Sequence, residues 1–131
     1  MFDIIINNSI LLKAREKNKV KYNIYNLFNY LDNSMQRIDD YPFGGNEGMI
    51  LKPEPICNAL NDINKNLKNA NNRVIFPTPD GKKFNHTIAK ELSREKILTF
   101  ICGHYKGIDQ RVRDNFVSDE ISIGDFVLNY L

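Results

Sequence analysis

Two short apolar runs near the carboxyl end of this 131-residue chain each stop at a glycine. The first, residues 97–102, reads ILTFIC and meets Gly103, with Gly107 and Ile108 soon after. The second surrounds Ile121 and Ile123 and is cut by Gly124. Apolar runs this short, rich in β-branched residues, read as buried strands. Glycine at a strand tip permits positive φ and lets a ligand approach the backbone. In open α/β sheets, ligands lie just beyond the carboxyl ends of the strands. The plain alternative is two ordinary strand-to-loop turns.

The rest of the chain supplies partners for such strands. Residues 2–6, FDIII, form a continuous β-branched run and predict a first strand. Asn8 or Ser9 is placed to cap a helix to about Lys17, with Ile10, Leu11 and Ala14 on one side. Residues 20–27 alternate Val20, Tyr22 and Ile24 against Lys21, Asn23 and Tyr25, which predicts a second strand. Residues 28–52 show no periodicity and include the turn-rich 41–45; a long loop of this kind in a compact domain is more often functional than accidental.

Pro53 is placed to open a helix. Its stripe Ile56, Ala59, Leu60, Ile63 and Leu67 predicts a core face. Residues 74–76 predict a third strand, and 77–81 a stiff turn after it. Asn85 caps a predicted helix to about Arg94, burying Ile88, Ala89 and Leu92, with His86 exposed in its first turn. Together these elements predict one α/β domain with a mostly parallel sheet and flanking helices.

Composition excludes more than it assigns. A net charge of +2 permits an RNA partner without requiring one. Lys13, Arg15, Lys17, Lys19 and Lys21 form a basic run relieved by Glu16, read first as a solvated helix end and polar strand face, with a phosphate-contacting patch for RNA as the alternative. Cys57 and Cys102 lack the spacing of a disulfide framework or zinc site, no metal is expected, and Cys102 is expected to be buried. The N-terminal apolar patch is too short to span a bilayer, so a soluble, cytoplasmic protein is expected.

Four ordered blocks carry a resemblance over nearly the whole chain. They are RIDDYPFGGNEGMILKPEP at 37–55, RVIFPTPDGKKF at 73–84, CGHYKGID at 102–109 and DEISIGDFVL at 119–128. These blocks resemble the bacterial tRNA (guanine-N1)-methyltransferases, trefoil-knotted enzymes that use S-adenosyl-L-methionine. The resemblance implies that residues 1–131 form a knotted-methyltransferase-like domain that binds this cofactor. It implies cofactor contacts at Phe76, Thr78, Pro79, Gly81, Gly103, Tyr105, Gly107 and Ile108. Further contacts are implied at Ser122, Ile123, Gly124, Asp125, Phe126, Val127 and Leu128. A substrate loop is implied at Arg37, Asp39, Asp40, Gly44, Gly45 and Gly48.

The implied partners are tRNA, methylated at the guanosine 3′ of the anticodon, and a second copy of the chain in a homodimer. In the family, a Gly-Gly-Glu and a helix follow the position of Leu128, thread the knot and lead to a C-terminal domain. That domain carries the catalytic Asp and Arg. Here the sequence reads Asn129-Tyr130-Leu131. The expectation is therefore an incomplete knot, no C-terminal tRNA-binding domain, and no catalytic residue assignable within the 131 positions. Asp109, Asp114, Asp119 and Glu120 are expected to be solvated or capping groups rather than a substitute base. Lys106, His104 and Asn46 depart from the family's Glu, Arg and Gly. The alternative reading is an inactive or split remnant that at most binds S-adenosyl-L-methionine or tRNA.

Overall fold

At the centre lies β3 (Arg73–Lys83), flanked in parallel by β4 (Leu98–Phe100) and β5 (Asp119–Ser122) in the order β4-β3-β5. The computed structural model describes residues 2–32, 37–41, 48–68, 71–103, 107–124 and 126. Parallel strands need covering on both faces, and alternation along β3 provides for it. Val74 and Phe76 face one way, into a cluster with Ile56, Leu60, Ile101 and Val112. Ile75 faces the other way, onto Leu92 and Ile121. The first face is covered by α3 (Pro53–Asn66) and α5 (Gln110–Phe116), the second by α4 (His86–Leu92).

Local sequence explains these elements. α3 opens at Pro53, where a missing N–H costs nothing. It buries Pro55, which the stripe did not include, and Ile56, Ala59, Leu60 and Ile63 of the predicted stripe, whose last member, Leu67, is half-buried at the C-cap. Asn85 caps α4 by accepting from the Ile88 N–H at 3.0 Å. The helix ends at Leu92, two residues before the expected end, with Ile88 and Ala89 half-buried. β1 (Asp39–Asp40) and β2 (Ile50–Leu51) form a small antiparallel hairpin, and Leu51 bridges to Ile108.

Two strand expectations fail at the N-terminus. Residues 2–6 form helix α1 (Phe2–Ile6), joined to α2 (Ser9–Glu16), and neither buries a residue. Residues 20–26 carry no ladder and lead into a 3₁₀ turn, Leu27–Tyr30, capped by Asn26 and packed on α3. β-branched content and alternation favour a pleated surface only where a neighbouring strand supplies the ladder and the packing, and no described strand pairs with either segment. Cys102 is exposed rather than buried, because it lies past the end of β4 and beyond Ile101, the last buried position of the run. Among the described residues, no helix is long and apolar enough to cross a membrane.

This arrangement separates a core isoleucine from a peripheral one. Ile75 is 1% exposed and Ile4 is 70% exposed. Ile75→Ala is expected to cost about 2–5 kcal/mol, and Ile4→Ala less than about 0.5 kcal/mol, both read from urea unfolding midpoints. Equal losses would show that α1 belongs to the core.

Candidate functional site at the strand tips

The parallel order β4-β3-β5 brings the carboxyl ends of all three strands to one edge of the sheet. The two glycine-broken runs therefore flank β3 on the same rim. Beyond β4, the Ile101 N–H donates to the Ile75 carbonyl at 2.9 Å, and the chain then reaches Gly103. β3 leaves its ladder after Pro77 and rejoins it at Lys82; both residues are in register with Ile121. The expected turn at 77–81 is instead a bulge of residues 78–81 within β3, which runs on to Lys83 rather than ending at residue 76, because Lys82 and Lys83 pair again with β5.

Glycine is required where this loop closes. A Cβ on Gly81 would sit 2.5 Å from the Glu120 carbonyl carbon, so no side chain fits there. At the loop's other end the Thr78 hydroxyl donates to the Asp80 carboxylate. β5 ends at Ser122, whose buried hydroxyl donates to the Gly124 carbonyl at 2.8 Å and accepts from the Gly124 N–H at 3.3 Å. The Phe126 ring lies where a Gly124 side chain would be.

The hairpin joins this rim through Gly107. Its φ of +126° is a conformation that side chains disfavour, and its carbonyl accepts from the Leu51 N–H at 3.1 Å. That bond sets β1 and β2 beside residues 107–108. Arg37 donates to Asp39, which is buried, at 3.2 Å, while Asp40 is exposed and Gly48 turns with φ +108°. The structure thus brings Arg37, Asp39, Asp40 and Gly48 onto the hairpin that abuts Gly107 and Ile108. Gly44, Gly45, Tyr105, Asp125, Val127 and Leu128 lie outside the described residues, as do His104, Lys106 and Asn46.

The remaining candidates divide by accessibility. Phe76 is 4% exposed; its ring is covered by Gly103, whose Cβ would lie 3.1 Å away, and by the Arg113 guanidinium, 5.8 Å from its centroid. The ring is thus a floor beneath the rim. Ile108 is buried in the same cluster. Pro79, Ile123 and Phe126 are exposed and Thr78 is half-buried. What the rim presents is mainly backbone from 78–81, 103, 107 and 123, with the half-buried Thr78, while Ser122 and Gly124 are buried beneath it. Such a rim suits a flat base and ribose read through main-chain groups. An apolar trench of about 360 Å³ on the α4 face touches the rim at Pro77 and Ile123, and offers almost no polar atoms to such a ligand.

Two arginines that the sequence reading did not single out lace the rim together. Arg113 donates to both oxygens of Glu120, at 2.7 and 2.6 Å, and to Asp80 at 2.9 Å. Arg73 donates to both oxygens of Asp119, at 2.6 and 2.9 Å, and to Glu95 at 3.1 Å. The Thr78 hydroxyl, then Arg113, holds Asp80 down at about 2. Arg113 lowers Glu120, Arg73 lowers Asp119, and Arg111 lowers Asp109, which also caps α5 by accepting from the Arg111 N–H at 2.8 Å. A general base works best with its pKa near the working pH; these carboxylates are arranged as structural anions. Nothing in the local sequence marks Arg113 for this role, since its partners come from two other segments. Among the described residues no group of three His, Cys, Asp or Glu side chains is placed to hold a metal ion.

Depressed carboxyl pKa values stabilise the fold above the ordinary carboxylate range, and that contribution is lost as pH falls from about 4 towards 2. Arg113→Gln is therefore expected to flatten the acid limb of a stability-versus-pH curve over that window. Urea midpoints at pH 7, 4, 3 and 2.5 measure it; an unchanged acid limb would show that the clamp is not coupled to folding.

Comparison with known proteins bears on this rim. The family model described as tRNA (Guanine-1)-methyltransferase TrmD matches residues 1–130. A tRNA (guanine-N(1)-)-methyltransferase of Staphylococcus epidermidis is 49% identical over 128 residues, covering 98% of this chain and 51% of that protein. One from Macrococcus caseolyticus is 50% identical over 128 residues, covering 98% and 52%. The crystal structure of tRNA (m1G37) methyltransferase from Aquifex aeolicus matches with a TM-score of 0.85 at 35% identity, over 97% of this chain and 56% of that one. The chain spans about half the length of the curated relatives it matches.

Proposed function

This chain belongs to the tRNA (guanine-1)-methyltransferase family, and from that premise we propose that its strand tips hold S-adenosyl-L-methionine for methylation of a tRNA guanine at N1. The acceptor in this reading is the guanosine 3′ of the anticodon. The observation that carries the reading is the shared rim: three parallel strands point their carboxyl ends to one edge, where Gly103 is exposed and Gly81 and Gly107 are half-buried. When bound, the cofactor supplies an electrophilic methyl on its sulfonium. The chain's part is to orient it and exclude water.

Roles follow from position. The loop 78–81 and the backbone at Gly103 and Gly107 grip the nucleoside. Ser122 fixes the turn through Gly124, and Ile123 and Phe126 shield the open side. Tyr105, Asp125, Val127 and Leu128 belong to the same proposal by resemblance. The hairpin bearing Arg37, Asp39, Asp40 and Gly48 closes over the acceptor, and Gly44 and Gly45 belong to the same role by resemblance. Guanine N1 must lose a proton, and a positioned base is worth about 10²–10⁴ in rate. The arginine-bound carboxylates Asp80, Asp109, Asp119 and Glu120 are poor candidates for that base. The same ion pairs favour a second reading, in which this chain binds the donor or tRNA without transferring the methyl group. A homodimer working in the cytoplasm completes the proposal.

Titration calorimetry with S-adenosyl-L-methionine tests the donor site. The expected result is saturable one-to-one binding, weakened at least tenfold by Gly107→Ala, whose φ of +126° a side chain disfavours. Absence of binding by the unsubstituted chain would overturn the reading. Methyl transfer to a tRNA transcript by this chain alone would exclude the second reading.

A further inference from the structure

The positive charge of this chain is concentrated in one place. Residues 13–21 hold five cations and one acid, Glu16, giving net +4 against +2 for the entire chain, so all other residues together are net −2. Lys13, Arg15, Lys17, Lys19 and Lys21 are all exposed. Among the described residues none of them is ion-paired; Arg15 donates to the neutral side chain of Asn7 at 2.5 Å, which leaves its charge uncompensated. Of the arginines outside the strip, Arg37, Arg73, Arg111 and Arg113 each sit on a carboxylate, and Arg94 is exposed but lies outside any such run of cations.

Favourable placement at a helix C-terminus accounts for part of this run. Lys13 and Arg15 lie in the last turn of α2, where cations complement the helix dipole. It does not account for Lys19 and Lys21, which lie past the helix. Lys13 and Lys17 moreover share one helix face, about 6 Å apart along the axis, where like charges oppose one another. The segment that follows is anchored to the body, because Tyr30 donates to Asp62 of α3 at 2.8 Å. Exposed aromatic faces, Tyr25 and Phe28, lie between the lysines and that anchor. Cations beside exposed aromatic rings are the usual composition of a nucleic-acid-binding surface.

We infer that the strip from Lys13 to Lys21 is a tRNA backbone contact, gripping phosphates outside the strand-tip site. This rests on the proposed tRNA substrate and adds the surface that holds it. The strip positions the RNA without reading its sequence. An anionic membrane is the rival partner. The apolar residues that would enter it, Phe2, Ile4, Ile5 and Ile10, precede the lysines in two helices of five and eight residues. Between residues 13 and 21 only Ala14 and Val20 are apolar, too few for a face that lies in lipid.

The test measures binding of the full chain to a transcribed tRNA with guanosine 3′ of the anticodon, from 50 to 200 mM KCl. One variant changes Lys13, Arg15, Lys17, Lys19 and Lys21 to Gln. A charge-matched control changes Lys65, Lys68, Lys90, Arg94 and Lys96 to Gln. The strip variant is expected to lose up to roughly 3.5–4.5 from the slope of log K against log salt, at about 0.7–0.9 for each of its phosphate contacts. Its affinity at 50 mM is expected to fall at least tenfold, against less than threefold for the control. Circular dichroism and binding of S-adenosyl-L-methionine should match the unsubstituted chain in both variants. The inference fails if the two variants lose tRNA affinity equally, or if the unsubstituted chain does not bind tRNA. It also fails if the strip variant loses only binding to phosphatidylserine-containing vesicles. Donor binding that persists in any of these cases leaves the strand-tip reading standing.

Discussion

The parallel ladder between β3 and β5 is the constraint on which the other features lean. Among the described strands of its sheet β3 alone is paired on both sides, and its ladder with β5 resumes in a shifted register after the bulge at 78–81. Because Pro77 and Lys82 are both in register with Ile121, the loop between them can only stand out from the sheet. The close approach of Gly81 to the Glu120 backbone then fixes how it stands. A register slip of one residue would turn Val74 and Phe76 away from α3 and α5 and move the loop off the rim. Packing and site geometry therefore share one determinant.

Electrostatics reinforces the same junction. Arg73 ties the start of β3 to the start of β5, and Arg113 ties α5 to both Glu120 and the loop at Asp80. Both guanidinium groups are largely covered and each contacts two carboxylates, so salt screens these pairs less than exposed ones. Arg113 also lies over Phe76, joining the clamp to the apolar core. Its ion pairs commit nearby carboxylates to structure, which is why the rim reads as a binding surface rather than as a complete proton-transfer apparatus.

How much of this the sequence disclosed depends on where each element finds its partners. α3 and α4 were legible because a helix declares itself locally, through Pro53, the cap at Asn85 and the stripe ending at Ile63. The start of β3 at 74–76 and the strands at 98–100 and 119–122 were legible as short apolar runs, whereas the continuation of β3 to Lys83 was hidden by the turn residues at 77–81. The N-terminal segments misled because a strand exists only with a neighbour, and β-branched residues at 2–6 say nothing about whether one is present. Arg113 and Asp80 escaped notice for a related reason: 33 residues separate them, and only the folded ladder brings them within 2.9 Å. Cys102 was misread because a buried run was taken to end at its last apolar letter, whereas burial stops at Ile101.

The central claim is that one rim of the sheet, built from separate strand ends, grips a single ligand. Backbone amide resonances recorded while S-adenosyl-L-methionine is added examine that claim residue by residue. The account predicts that the amides of Gly81, Gly103, Gly107, Ser122 and Gly124 shift together with one saturation curve, while those of α1 and α2 stay in place. Shifts confined to the apolar trench beside Leu92 and Phe84, or scattered without a common curve, would contradict it.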